Sequence, residues 1–493
     1  MAERIVDAMR GLELSRPPAA GHGFEADDLL IGILSRLDLP DLVCSGAACT
    51  LWRVSYLAVR RFRLCSPNQS PYLVYSSGDS DSSTATLHNL STNKPYHFSL
   101  PDPPFRSRYI VGSSQGWLVT ADEQSNLHLL NPVTGAQVSL PPAQSIKGVS
   151  LSLTSEGELH GHNTDQLHVK YRSVTGIINF YPPAETRQFL YKKVIMSSDP
   201  SGGDCVVLLK HGLWNHLSFA RIGDTEWTWL DTMDRCDQYD DFFYDADEGL
   251  FYAVRCDAEI HTIDLKGPSP MVKVILKAST AFGCPIHYIL RAPWGDLFLI
   301  SRIYAPETDD EEECPPEGRL TVCRVELAQQ KFTEITNLQG HVLFVGFNDT
   351  FMVHAGGFPG LSPNHVFMSD DYTEYIMCSP FSGRRLTCLN LEDATLTDLS
   401  FSDSLLDWPP LVCNVLDNLD IWVIPNFVPC IGIHAVLFLF PPSTVIPPAY
   451  FSYSSFYLLA DGKVYNTNQF YFIGRYSLEH LCFAMVNLFN FFF

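Results

Sequence analysis

From about Pro71 onward the chain is a succession of runs of four to seven residues rich in Val, Ile, Leu, Phe, Tyr and Thr, cut by Gly, Asp, Asn, Ser and Pro. Runs so short exclude a helical domain and predict an all-β sandwich, barrel or propeller. One phrase recurs within this region: "LHNLSTNKPYHFSLP" at 87–101, "LHLLNPVTGAQVSLP" at 127–141 and "IHTIDLKGPSPMVKV" at 260–274. Degenerate copies follow, "CRVELAQQKFTEI" at 323–335 and "TCLNLEDATLTDL" at 387–399. The first two copies are offset by 127 − 87 = 40 residues. A period of about 40 to 50 residues is what a four-stranded propeller blade needs. One blade cannot cover its own two faces, so blades pack on neighbours and close a ring, which leaves two broad faces made of loops. No Trp-Asp dipeptide is present to anchor blades of the WD kind.

Ahead of this region lies "DDLLIGILSRLDLPDLVCSGAACTLWRVSY", Asp27 to Tyr56, with a helical period. Leu30, Leu34 and Leu37 fall at i, i+4 and i+7 with Leu29 and Ile33 beside them, and Asp27 and Asp28 stand where a helix macrodipole favours negative charge. Leu39 precedes a proline, so this first helix is expected to stop there. Pro40 and Asp41 open a second helix through Ala47 or Ala48, and Thr50 to Tyr56 reads as a short third. Three helices in about thirty residues are too few to bury so many apolar side chains by themselves, so the unit needs a partner surface. Docking on the β region is the structural alternative to binding another protein.

At 493 residues the prior is two or three domains, and a hydrophobic content of 46 % supports a sizeable core. The balance of 55 acidic against 33 basic side chains, net −22, disfavours a nucleic-acid backbone or an anionic membrane surface as partner. Fourteen cysteines without a Cys-x-x-Cys pair fit free buried thiols in a reducing compartment. Cys44 and Cys49 lack a second ligand pair, which argues against zinc. Met1 to Phe24 carries scattered charges and no apolar signal core, so the expected location is the cytosol or the nucleus.

Catalytic patterns are missing: no Gly-x-Ser-x-Gly, no His-Glu-x-x-His, no phosphate loop and no dinucleotide fingerprint. The pair His160 and His162 sits in what reads as a polar turn without a third metal ligand. "DQYDDFFYDADEG", 237–249, lacks the spacing of a calcium loop and reads as a strand and hairpin. Trp117, Trp227, Trp229 and Trp294 are assigned to wedges between blades. "PETDDEEECPPEG", 306–318, is expected to be a solvated acidic loop. No catalytic residue, cofactor or metal is predicted, and no substrate-binding residue is assigned.

The last stretch differs. Forty positions from Ile421 to Ala460 lack Asp, Glu, Lys and Arg, but prolines leave only eleven residues, Cys430 to Phe440, uninterrupted before Pro441, short for a bilayer crossing. Residues 428–493 are expected to be an atypical hydrophobic tail, poorly integrated with the β region, with a tail anchor as the alternative reading; a membrane is not the expected partner.

The segment "LLIGILSRLDLPDLVCSGAACTLWR", closing on Ala48, Cys49, Trp52 and Arg53, resembles an F-box. The β region resembles the KIB-type β-propellers of plant F-box proteins, above all in "GSSQGWLVTADEQSNLHLLNPVTGAQVSLPP", 112–142. "FARIGDTEWTWL", "YDADEGLFYAV", "APWGDLFLISR" and "LFVGFNDTFMVHAGGFPGLSPNHVFMSDD" follow in the order the family has them. The resemblance implies a mainly β chain with a flexible N-terminus at 1–23, a three-helix F-box at 24–62 and a propeller at 71–427, with "DWPPLVCNVLDNLDIWVIPNF" as its closing segment. It further implies a substrate-recruiting subunit of a Skp, cullin and F-box ubiquitin ligase, itself without catalytic groups. The F-box would hold a Skp-type adaptor, and through it cullin, by Leu29, Leu30, Ile33, Leu34, Leu37, Pro40, Leu42, Cys49 and Trp52, while the propeller would hold a protein target. The alternative is a propeller ligand sensor or hydrolase with a vestigial F-box.

Overall fold

The computed structural model describes residues 26–62, 64–66, 69–76, 83–165, 178–212, 215–230, 238–277, 286–303, 319–346, 349–369, 386–399, 412–415, 457–460 and 463–466. The chain divides into two compact units, one of 1–46 with 51–427 and one of 47–50 with 428–493. In the second, the described part of the tail is a hairpin, Tyr457–Ala460 paired antiparallel with Lys463–Asn466; the remaining tail lies outside the described residues, as does the acidic segment 306–318. Among the described residues no helix is long and apolar enough to cross a membrane.

The first unit holds six blade sheets among its described residues. Blade 1 is Pro71–Ser76, Thr84–Asn89 and Lys94–Ser99, completed by Val412–Val415, which pairs antiparallel with the first of these from Val74↔Val412 to Pro71↔Val415. One strand from the far end of the ring thus closes its first blade, within the segment expected to close it. Blade 2 is Tyr109–Ser114, Trp117–Ala121, Leu127–Leu130 and Gln137–Ser139; blade 3 is Tyr191–Met196, Val206–His211, His216–Arg221 and Thr228–Trp229. Blade 4 runs from Tyr239–Asp245 to Met271–Leu276, and blade 5 from Ile286–Arg291 to Lys331–Ile335. Blade 6 departs from four strands: Phe351–His354 and His341–Val345 lead a five-stranded sheet in which the latter pairs parallel with His365–Ser369.

Every recurring phrase of the sequence falls on one place in this architecture, the last two strands of blades 1, 2, 4, 5 and 6 with their connecting turn. These outer strands alternate or lie open, as in Gln137–Ser139, and so keep a legible polar pattern. Inner strands such as Tyr109–Ser114 and Trp117–Ala121 are buried at every position, because neighbouring blades cover both faces. Six buried apolar clusters occupy the six junctions between successive blades, including blade 6 with blade 1 through Leu73, Tyr75, Phe344 and Phe367. Trp117 and Trp227 fill the wedge between blades 2 and 3 as expected, their indole N–H groups donating to Asp199 Oδ2 and to the Pro141 carbonyl, each at 2.9 Å.

Among the described residues three helices precede the ring: α1, Ala26–Leu34; α2, Leu39–Gly46; and α3, Thr50–Arg61. Helix α1 ends five residues before the expected stop. Its last turn tightens, with Arg36 N donating to Ile33 O and Leu37 N to Leu34 O, so Leu37 is carried by a turn. Helix α3 runs past Tyr56 because Leu57, Ala58, Arg60 and Arg61 are competent helix formers and nothing breaks the run. Gly46 is required where α2 meets α3, since a Cβ there would lie 2.7 Å from the Tyr56 ring.

Between blades 2 and 3 the chain inserts a three-stranded sheet, Val149–Leu153, Leu159–Asp165 and Ile178–Tyr181, and a fourth helix α4, Pro183–Leu190, with proline in its first turn. This insertion, together with a blade 3 that carries no copy of the phrase, lengthens the step from the second copy to the third.

Candidate functional site

The apolar stripe of the helical module is covered by the chain itself. Leu30, Leu34, Leu37, Leu39, Leu42 and Val43 share one buried cluster with Tyr72, Val74, Leu87 and Phe98 of blade 1. Of the nine side chains assigned from sequence to an adaptor, Leu30, Leu34, Leu37 and Leu42 are buried in that cluster, and Ile33 and Pro40 are buried as well. Trp52 is half-buried against the same cluster, and Leu29 and Cys49 are exposed. The partner surface that the module needs is therefore supplied within the first unit.

Helix α3 is apolar on two sides. Its inner side places Tyr56 and Val59 in the shared cluster, with Ser55 Oγ donating to the Leu51 carbonyl at 3.1 Å. Its outer side carries Leu51, Val54 and Leu57, which are 47, 65 and 51 % exposed, and Phe62 and Leu64 extend the apolar surface past the helix end. The spacing i, i+3, i+6 makes one continuous stripe. Sequence reasoning missed it by ending α3 at Tyr56, which left Leu57 outside the helix and the stripe one side chain short. Cys44 and Cys49, expected among buried thiols, are both exposed and free.

A second concentration of polar chemistry lies where inner strands of several blades meet. Asp241 Oδ1 accepts from the Lys193 ammonium of blade 3, while Oδ2 accepts from Ile289 N of blade 5 and from Thr350 Oγ1 of blade 6, each at 3.0 Å. Both charged side chains are almost fully buried. Beside them, loss of hydration pushes the Asp349 carboxyl up to about 7, with Lys193 opposing and Asp241 adding to the rise. Asp240, whose Oδ2 accepts from His287 N at 3.0 Å, is pushed up to about 6, chiefly by burial. Asp241 spends its lone pairs on three blades besides its own, which is the chemistry of a structural tie.

The raised Asp349 carboxyl has a sign. A carboxyl whose folded-state pKa exceeds its unfolded value, about 4, contributes stability that is complete below that value and is lost as pH rises through about 7. Urea midpoints of the wild type should fall across that window, and Asp349→Asn should flatten the fall. Equal slopes in the two proteins would refute the assignment.

His160 and His162 sit on a strand rather than in a turn. His160 is exposed and stacks on Phe180 at 4.8 Å, while His162 is buried, its Nδ1 3.2 Å from Thr186 Oγ1 of α4. Burial holds the His162 imidazole below its ordinary range. Among the described residues no group of three or more His, Cys, Asp or Glu side chains is arranged to hold a metal ion.

Comparison with known proteins places this geometry. A sequence model described as the KIB1-4 beta-propeller matches residues 87–389. Three Arabidopsis thaliana proteins named as F-box proteins are similar. One is 22 % identical over 319 residues, covering 62 % of this chain and 73 % of its own length. The others are 26 % identical over 134 residues, covering 26 and 30 %, and 25 % identical over 198 residues, covering 38 and 46 %. The chain thus spans less than half the length of these two relatives.

Proposed function

The chain belongs to the KIB1-4 beta-propeller family and has the build of a plant F-box protein, and from that premise we propose that it recruits a protein target to a Skp, cullin and F-box ubiquitin ligase. In this reading the helical module holds a Skp-type adaptor, the propeller holds the target, and transfer chemistry belongs to other subunits. The chain contributes proximity, turning an encounter between a target lysine and the charged ubiquitin carrier into an effectively intramolecular event. The observation that carries the reading is the outer stripe of α3, since the inner stripe is already covered. Leu51, Val54 and Leu57 are the side chains to which the adaptor contact is assigned, with Phe62 following them along the chain.

Val54→Asp with Leu57→Asp tests this. Each apolar side chain buried in an interface contributes on the order of 1.5 to 3 kcal/mol before association costs, so the pair should weaken adaptor binding about a hundredfold or more. Both positions are exposed, so circular dichroism and the thermal midpoint should stay unchanged. Full adaptor binding by a folded double variant would sink the assignment.

A further inference from the structure

We propose that blade 1 is the permanent seat of the helical module, so that module and propeller act as one rigid body and the direction in which α3 presents its outer stripe is set by the fold. The use of that rigidity in target transfer rests on the function proposed above; the rigidity itself does not.

Two kinds of contact carry the inference. Leu34, Leu37 and Leu42 are at most 2 % exposed and pack with Tyr72, Leu87 and Phe98, so lifting the module off would bare apolar surface on both sides at once. Polar ties then fix the angle. Leu39 N donates to Gln69 Oε1 at 2.7 Å, and Gln69 Nε2 donates to the Ser66 carbonyl at 2.9 Å, which pins the connection leading into the blade. Asp38 Oδ2 accepts from Ser70 Oγ at 2.8 Å and from Asn89 Nδ2 at 3.4 Å, and Asp41 Oδ1 accepts from the Tyr96 hydroxyl at 3.3 Å. Hydrogen bonds to carboxylates are directional, so these ties discriminate among orientations that apolar packing alone would tolerate.

Seating and partner binding do not compete, because α3 uses opposite sides for the two tasks. Tyr56 and Val59 face the shared cluster, whereas Val54 and Leu57 face away from it. A module on a flexible linker would sweep its target through a volume that grows with linker length. A seated module holds the target in one arc, so which lysines are reached depends on where on the propeller a target sits.

The test cuts the connection in the full chain. A protease site is placed between Ser66 and Gln69, the protein is cleaved under native conditions, and the products are run by size exclusion with and without saturating purified Skp-type adaptor. The helical fragment should stay with the propeller in both runs, and the cut protein should melt in a single transition. Release of the fragment from a folded propeller, alone or on adding adaptor, overturns the proposal. Leu42→Ala in the uncut chain provides a second measurement by native-state hydrogen exchange. Protection in α2 and in Pro71–Ser76 should fall by the same factor; a fall confined to α2 overturns the proposal. Failure of the α3 variant to lose adaptor would leave both of these outcomes unchanged, so the two ideas fail separately.

Discussion

Leu34→Asp should unfold the first unit rather than merely detach it from a partner. Leu34 has no exposed surface and sits in the cluster that joins the helices to blade 1. Truncating a buried leucine to alanine costs about 2 to 5 kcal/mol, and an aspartate there adds an unpaired charge in apolar surroundings. Against a total stability of about 5 to 15 kcal/mol for a folded domain, that loss decides the equilibrium. The expected readings are loss of the cooperative melt, loss of soluble yield and increased protease sensitivity in blade 1. On the function proposed above, the same substitution would also abolish adaptor capture, and read alone that loss would be mistaken for a contact. A Leu34→Asp chain with an unchanged melt would mean that the module is not seated on the ring.

Asp241→Ala is expected to be nearly as damaging, for a different reason. It takes from the Lys193 ammonium, only 5 % exposed, the carboxylate it is bonded to, and it removes the acceptor for Ile289 N and Thr350 Oγ1. Breaking a buried ion pair by removing one partner costs about 3 to 5 kcal/mol, because the remaining charge stays desolvated. The guanidinium midpoint should drop accordingly, with blades 3 to 6 losing hydrogen-exchange protection together. Lys193→Met combined with Asp241→Leu should recover much of the loss, since an apolar pair carries no stranded charge. A double variant no better than Asp241→Ala would show that the backbone and threonine bonds, rather than the charge, hold the blades.

Much of the β architecture was legible because outer strands keep their pattern. The recurring phrase marks strands whose far face meets water, and there an alternation of apolar and polar side chains survives. Blade 3 hid from the repeat because the insertion displaced it and because its last strand is only the dipeptide Thr228–Trp229. The extra strand of blade 6 lay outside the recurring phrase, which marks only the last two strands of that sheet. Asp241 was passed over as one carboxylate among several in "DQYDDFFYDADEG", since nothing in a linear pattern tells which of them meets a lysine 48 residues away.

The sequence by itself determined that the chain is built of short strands in blades of one recurring kind, preceded by a small helical unit with more apolar side chains than it can bury. Those are local properties, set by the spacing of apolar residues and the placing of Gly and Pro, and they hold whatever the strands later pack against. Only the tertiary structure decided that six blades stand among the described residues, that blade 1 covers the leucine stripe within this chain, and that the opposite side of α3 carries exposed apolar side chains. Each of these depends on which surfaces meet, and hydrophobic burial is non-directional: a periodicity specifies that a face must be covered, while shape and the few directional bonds at Asp38, Asp41 and Gln69 select what covers it.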